Sequence, residues 1–179
     1  MLKKLFPASM ILISGIAVAS LDAPTFYIGP SLLVKANTAP SSSSREASAR
    51  MSAGYGGTLS VAQGIYIAGE LFFVPSSLEI STNGTPKLKT TYSYGLSFIP
   101  GLMIGDGTMV FIRAGLVRTD FSTQSKSIMG LQMGVGIQIK LTQSWDLRGE
   151  YNYNAYHTIT GVGAPRSDWL GLGGVYNFN

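Results

Sequence analysis

The chain has 179 residues, no cysteine, 22 glycines and only 12% charged residues, against about 25% in an ordinary soluble domain. This composition excludes disulfide-stapled mini-proteins, cysteine-based zinc modules and thiol enzymes, and it is too uncharged for a disordered chain and too poor in Lys and Glu for a soluble domain's exterior. The formal charge of +4 drops to +2 when Lys3 and Lys4, which lie in a removable segment, are set aside, and that is no nucleic-acid footprint.

Met1 to Ala19 has a short basic start, an apolar stretch centred on Met10 to Ile16, and Ala17-Val18-Ala19 before Ser20. This is the pattern of a cleavable secretory signal peptide. The apolar stretch is broken by Pro7, Ser9, Ser14 and Gly15 and falls short of the ~20 residues of a spanning helix. Residues 1–19 are therefore read as the signal peptide and 20–179 as one domain. An exported chain without thiols avoids wrong pairings and must hold itself together without bridges.

From Ser20 onward the hydrophobic pattern has period two, the signature of half-buried strands. Phe26, Ile28, Pro30, Leu32 and Val34 alternate with Tyr27, Gly29, Ser31 and Lys35; Met51 to Val61 alternates with Ser52 to Ala62; and Ile65 to Phe73 opposes Tyr66, Ala68, Glu70 and Phe72. The pattern continues through Tyr92 to Ile99, Val110 to Val117, Leu131 to Leu141, Asp146 to Asn154 and Leu170 to Phe178. The expectation is eight strands. Gln63-Gly64, Gly105-Asp106-Gly107 and Thr142-Gln143-Ser144 suit tight hairpin turns, whereas Asn37 to Arg50, Pro75 to Thr90, Asp120 to Ser127 and Ala155 to Ser167 are expected to be longer loops. Short turns at one end and long loops at the other, on an even-stranded meander, are the asymmetry of an outer-membrane barrel with both termini in the periplasm.

The polar face decides which way the strands turn. It is made largely of Gly, Ser, Thr and Asn, which suit the crowded lumen of an eight-stranded barrel, whereas a soluble barrel would carry Lys and Glu there. The apolar face then meets lipid, and its aromatics sort into two interfacial girdles: Phe26, Trp145, Tyr176 and Phe178 at turn-side strand ends, and Phe73, Tyr92, Tyr94 and Tyr153 at loop-side ends. Closure leaves no unpaired edge in hydrocarbon. The expected fold is all-β: an eight-stranded antiparallel up-and-down transmembrane barrel.

Together with these strands, Phe111-Ile112-Arg113-Ala114-Gly115, Arg148-Gly149-Glu150-Tyr151 and the terminal Val175-Tyr176-Asn177-Phe178 resemble the small outer-membrane β-barrel family that contains the OmpA-type transmembrane domain and the opacity surface antigens. The resemblance covers the whole mature chain. It implies a Gram-negative outer-membrane location, and an aromatic terminal strand of this type resembles the signal read by the barrel-assembly machinery.

Glu70, Arg113, Arg148 and Glu150 share the lumen parity and lie roughly four to six residues from the nearest short turn, so a rise of ~3.3 Å per residue puts them at comparable depth. Two acids and two arginines in one narrow layer point to a salt-bridged plug. Carboxylates doing acid–base chemistry are disfavoured, since neighbouring arginines hold both ionised. His157, with Ser167 and Asp168 across the same loop, allows an alternative reading as a lipid-modifying enzyme, but no G-x-S-x-G or H-E-x-x-H accompanies it. Asn83-Gly84-Thr85 fits a glycosylation sequon and, more simply, a turn. The paired glycines lack nucleotide-binding spacing, and no metal-ligand spacing or cofactor motif appears. Arg45, Arg50, Lys87, Lys89, Arg118, Lys126 and Arg166 make the loop rim mildly positive and suit contact with lipopolysaccharide phosphates.

The sequence thus predicts a monomeric outer-membrane barrel with a structural or surface-interaction role and no catalysis, in contact with membrane lipid, with an unnamed host or phage ligand as a further partner and no nucleic acid. A small gated pore, a lipid-modifying enzyme and a secreted soluble ligand-binding barrel are the alternatives.

Overall fold

The computed structural model describes residues 21–40, 42–62, 64–75, 78–81, 90–121, 127–158 and 163–178. Nine strands follow in order: β1 (Leu21–Ala39), β2 (Ser42–Leu59), β3 (Ile65–Val74), β4 (Leu78–Ser81), β5 (Thr90–Ile104), β6 (Thr108–Phe121), β7 (Ser127–Lys140), β8 (Trp145–Tyr156) and β9 (Arg166–Phe178). Every pairing is antiparallel between neighbours, and β1 pairs with both β2 and β9, which closes the sheet. β4 pairs with β2 at Arg45 to Ala47, above the Met51 to Thr58 stretch held by β3. It continues the β3 stave beyond Pro75, a residue with no N–H for the ladder. The barrel therefore has eight staves, one of them in two pieces.

The direction of the apolar stripe is unambiguous. Met133, Val135 and Ile137 are 64%, 58% and 42% exposed, while Arg113 and Glu150 on the opposite parity are 0% and 5% exposed. A soluble protein does not leave such a band open; lipid is its solvent.

The lumen is filled by more than small polar residues. Tyr27, Ala68, Ile99, Met109, Phe111 and Val175 form one apolar cluster toward the short turns. Leu33, Ala39, Phe72, Val74, Val117, Tyr156 and Trp169 form another toward the loops. Glycines on neighbouring staves, in register with them, make room for these rings. A Cβ on Gly95 would lie 2.6 Å from Phe72 Cζ, and one on Gly130 would lie 2.7 Å from Tyr156 Cδ1. The lumen-parity glycines are space-makers for large side chains, not for emptiness.

At the short-turn end Gly64 (φ 83°) and Gly105 (φ 63°) adopt the left-handed backbone that tight hairpins require and side chains resist. At the other end the first expected loop is corrected. Most of Asn37 to Arg50 is strand, with β1 running to Ala39 and β2 starting at Ser42, in register from Ala39↔Ser42 to Ser31↔Arg50. Period two is present there but without a large apolar side chain on either face: Ser44, Glu46, Ser48 and Arg50 are buried, and Ser43, Arg45 and Ala49 are exposed. A search for apolar alternation cannot see it. The leader Met1 to Ala19, the sequon Asn83-Gly84-Thr85, and Lys87, Lys89 and Lys126 lie outside the described residues.

Candidate functional site: a charged layer inside the lumen

Period two sets the inward parity of each stave, and closure brings staves far apart in sequence face to face. Glu70 on β3 and Arg148 on β8 stand on diametrically opposite staves, and Arg148 Nη1 lies 2.5 Å from Glu70 Oε2. Arg113 on β6 bridges the two acids, its Nη2 lying 2.8 Å from Glu70 Oε1 and 2.9 Å from Glu150 Oε2. Arg50 on β2 pairs with Glu150 Oε1. Tyr27 donates its hydroxyl to Glu70 Oε2 at 3.0 Å, and the Arg148 guanidinium sits over the rings of Tyr27 at 5.1 Å and Phe111 at 5.4 Å. All five charged groups are at most 5% exposed. Such desolvation is tolerated only when each charge has a close partner of opposite sign, and the crossing pairs supply this.

Hydrogen bonds extend the layer toward the short turns, and a separate set of hydrogen-bonded side chains lies on its loop side. Arg148 Nε donates to Gln138 Oε1 at 2.8 Å, Gln138 Nε2 donates to Asp146 Oδ2 at 2.7 Å, and Asn177 Nδ2 donates to the same oxygen at 2.9 Å. Gln138, Asp146 and Asn177 line the wall of an open cup of about 290 Å³ at the short-turn mouth, together with Tyr66, Met109 and Lys140. On the loop side, Ser97, Gln132 and Asn154 link in turn, and Asn154 reaches the Ser167 carbonyl. Higher still, Lys35 donates to Thr90 Oγ1 at 2.7 Å and Thr90 donates to Glu46 at 2.7 Å, with Lys35 5.9 Å from the Trp169 ring.

Glu70, Arg113, Arg148 and Glu150 are thus brought together. Arg50, expected at the outer rim as a phosphate contact, is instead 2% exposed inside the lumen and pairs with Glu150. The signal was available: extending the inward parity of Ser52 and Gly54 by one step upward reaches Arg50. Tyr27 and Gln138, both partners of the layer, carried no charge to single them out. Among the remaining rim cations, Arg45, Arg118 and Arg166 are exposed on the outer face.

The aromatic positions fall on the lipid-facing parity. At the short-turn end Phe26 packs on Tyr55 with ring centroids 4.6 Å apart, Trp145 on Tyr176 at 5.2 Å, and Tyr176 on Phe178 at 5.0 Å. At the loop end Phe73 is in register with Tyr94, Tyr92 lies 6.3 Å from Tyr94, and Tyr153 is in register with Asp168. His157, Ser167 and Asp168 do not converge. Ser167 is buried in the lumen, donating to Asn37 Oδ1 at 2.5 Å and accepting from Trp169 Nε1 at 2.7 Å. Asp168 faces outward and accepts the Tyr151 hydroxyl at 2.5 Å, and His157 Nδ1 lies 3.1 Å from the Met129 carbonyl. Consecutive strand residues point to opposite faces, so Ser167 and Asp168 cannot share a site.

The chain has a fold in common with solved outer-membrane barrels. It is similar to Neisserial surface protein A, with a TM-score of 0.65 and 20% identity over 88% of this chain and 100% of that one. It is also similar to Ail, the attachment invasion locus protein of Yersinia pestis, with a TM-score of 0.53 and 14% identity over 86% of this chain and 98% of that one. Among characterised protein sequences none matches. Residues 8–178 match the family described as Outer membrane protein beta-barrel domain. With a closed sheet, an apolar belt turned to lipid and a family match over nearly its whole length, this chain belongs to the outer membrane protein beta-barrel family and is an integral protein of the outer membrane.

Proposed function

We propose that this barrel is a monomeric, non-catalytic surface protein of structural or interaction type, whose lumen is closed by the charged layer rather than built to conduct. The observation that carries this reading is the crossing set of Arg50, Arg113, Arg148, Glu70 and Glu150, buried between two apolar clusters. An ion crossing the lumen would have to part buried ion pairs and also pass Phe111 and Met109 on one side and Trp169 and Phe72 on the other. The spread of His157, Ser167 and Asp168 supports the absence of catalysis. Planar-bilayer recording of the refolded protein tests the closed lumen: no steady pores are expected from the native chain, and large stable conductance would overturn the reading.

The contacts of such a protein lie on its rim and outer face. Arg45, Arg118 and Arg166 fit phosphates of lipopolysaccharide in the outer leaflet through charge-assisted bonds, and the aromatic C-terminal strand fits recognition by the barrel-assembly machinery. Ail has also been crystallised in complex with the heparin analogue sucrose octasulfate. That complex belongs to Ail; for this chain it supports placing a host or phage surface ligand among the candidates for the loops. Comparing vesicles with and without lipopolysaccharide tests the rim reading: thermal unfolding is expected to shift upward with lipopolysaccharide, and less so in an Arg45→Gln/Arg118→Gln/Arg166→Gln variant.

A further inference from the structure

Two grooves cut the lipid-facing surface, and the smaller one carries a charge. The groove in the short-turn half is lined on its outer side by Ile65, Leu102, Val110, Ile112, Val135 and Ile137, with no charged side chain on that face. The groove in the loop half, about 340 Å³, is lined by Leu71, Leu96, Leu116, Met129, Tyr94 and Arg118. Register explains its form. Leu71, Leu96 and Leu116 are successive partners across β3, β5 and β6, and Tyr94, Arg118 and Met129 are successive partners in the row above. An apolar floor therefore runs beneath a guanidinium seated between a tyrosine and a methionine.

The depth of that guanidinium follows from geometry. Arg118 is ten residues along β6 from Thr108 at the short-turn end, and at ~3.3 Å per residue with the ~45° tilt of a membrane strand this places it near the top of the ~25 Å apolar belt. Arg118 is exposed and in no ion pair among the described residues. The carboxylate on its own stave, Asp120, lies further out and has the Tyr92 hydroxyl as hydrogen-bond partner. The site combines an apolar trough with a cation at the level of the outer-leaflet headgroups.

We infer that this groove is a binding site for one phosphorylated acyl glycolipid, the lipid A portion of lipopolysaccharide. An acyl chain lies along Leu71, Leu96 and Leu116, and a phosphate accepts hydrogen bonds from Arg118. A guanidinium presents parallel donors to phosphate oxygens, and burying the leucines under a chain already in lipid fixes the position of the headgroup above them. This inference rests on the rim reading and narrows it from a diffuse positive rim to one site.

The test is native mass spectrometry of the full refolded chain, washed in detergent after exposure to purified lipid A. Folding of each variant is checked by heat-modifiable gel migration. The native chain is expected to keep one lipid A per barrel, and to keep dephosphorylated lipid A at least five-fold less. Arg118→Gln, which removes the charge, and Leu96→Trp, which fills the trough and leaves the charge, are each expected to lower retention at least five-fold. Arg45→Gln/Arg166→Gln is expected to change it less than two-fold. Retention unaffected by both Arg118→Gln and Leu96→Trp, or equal losses in the Arg45/Arg166 variant, would overturn the groove and leave the rim reading standing. No retention by the native chain, with no stabilisation by lipopolysaccharide vesicles, would overturn both.

Discussion

A buried charge in the lumen stands or falls with its partners, and Arg113 has two. Its Nη2 lies 2.8 Å from Glu70 and 2.9 Å from Glu150, so Arg113→Ala leaves two carboxylates in a dry layer with a cation lost from between them. Removing one partner of a buried pair typically costs ~3–5 kcal/mol. Urea unfolding of the barrel in lipid vesicles is expected to show a loss of that order for Arg113→Ala and a much smaller one for Arg118→Ala on the exposed face. Arg50 belongs with Arg113 in this respect, since its side chain is 2% exposed and paired with Glu150. Arg50→Ala is therefore expected to fall in the same strongly destabilising class; a loss no larger than that of Arg118→Ala would return Arg50 to the rim.

Each stave carries two messages at once, one written on its odd and one on its even residues. On β2 the inward set includes Gly54, whose added Cβ would enter the Tyr27 ring of β1. Gly54→Ala is expected to cost ~1–3 kcal/mol by overpacking, and adding Tyr27→Leu is expected to recover part of that loss in a double-mutant cycle. No recovery would mean that the glycine serves the backbone of β2 instead. On β9 the inward Trp169 is fully buried, meets the Phe72 ring edge-on at 6.0 Å and donates to Ser167. Trp169→Ala is expected to cost ~3–5 kcal/mol, measured by the same unfolding titration. The outward set obeys the opposite chemistry: Val135→Arg puts a charge into the apolar belt, and ~2–4 kcal/mol is expected for a site at the bilayer midplane.

For the whole molecule, closure does two things that no single stave can do. Across the membrane-spanning part of the barrel it pairs each stave on both sides, which hydrocarbon demands, and it turns eight lumen-facing stripes toward one axis where their charges must neutralise one another. The lumen is accordingly layered: an open polar cup at the short-turn mouth, an apolar cluster, the charged layer, and a second apolar cluster beneath Lys35, Glu46 and Thr90. Removing detergent from the folded protein is expected to precipitate it, because the outward belt that includes Leu32, Leu131 and Leu170, each above 60% exposed, has no other solvent. A monodisperse species in plain buffer would contradict the membrane assignment.

Strand existence, the even stave number, the outward direction of the apolar stripe and the shared depth of Glu70, Arg113, Arg148 and Glu150 were all legible in the sequence. They depend on a period of two, which is a local property of the backbone and survives without knowledge of neighbours. The length of β2 was not legible, because Ser43 to Arg50 has no large apolar residue on either face and its pairing with β1 is what makes it strand. Nor were the pairings of Arg50 with Glu150 and of Tyr27 with Glu70, although parity along β1 and β2 already turns both side chains inward. Those are facts of closure: which inward side chains reach one another across the lumen is decided by the stagger of staves far apart in the chain, and parity along one strand does not contain that information.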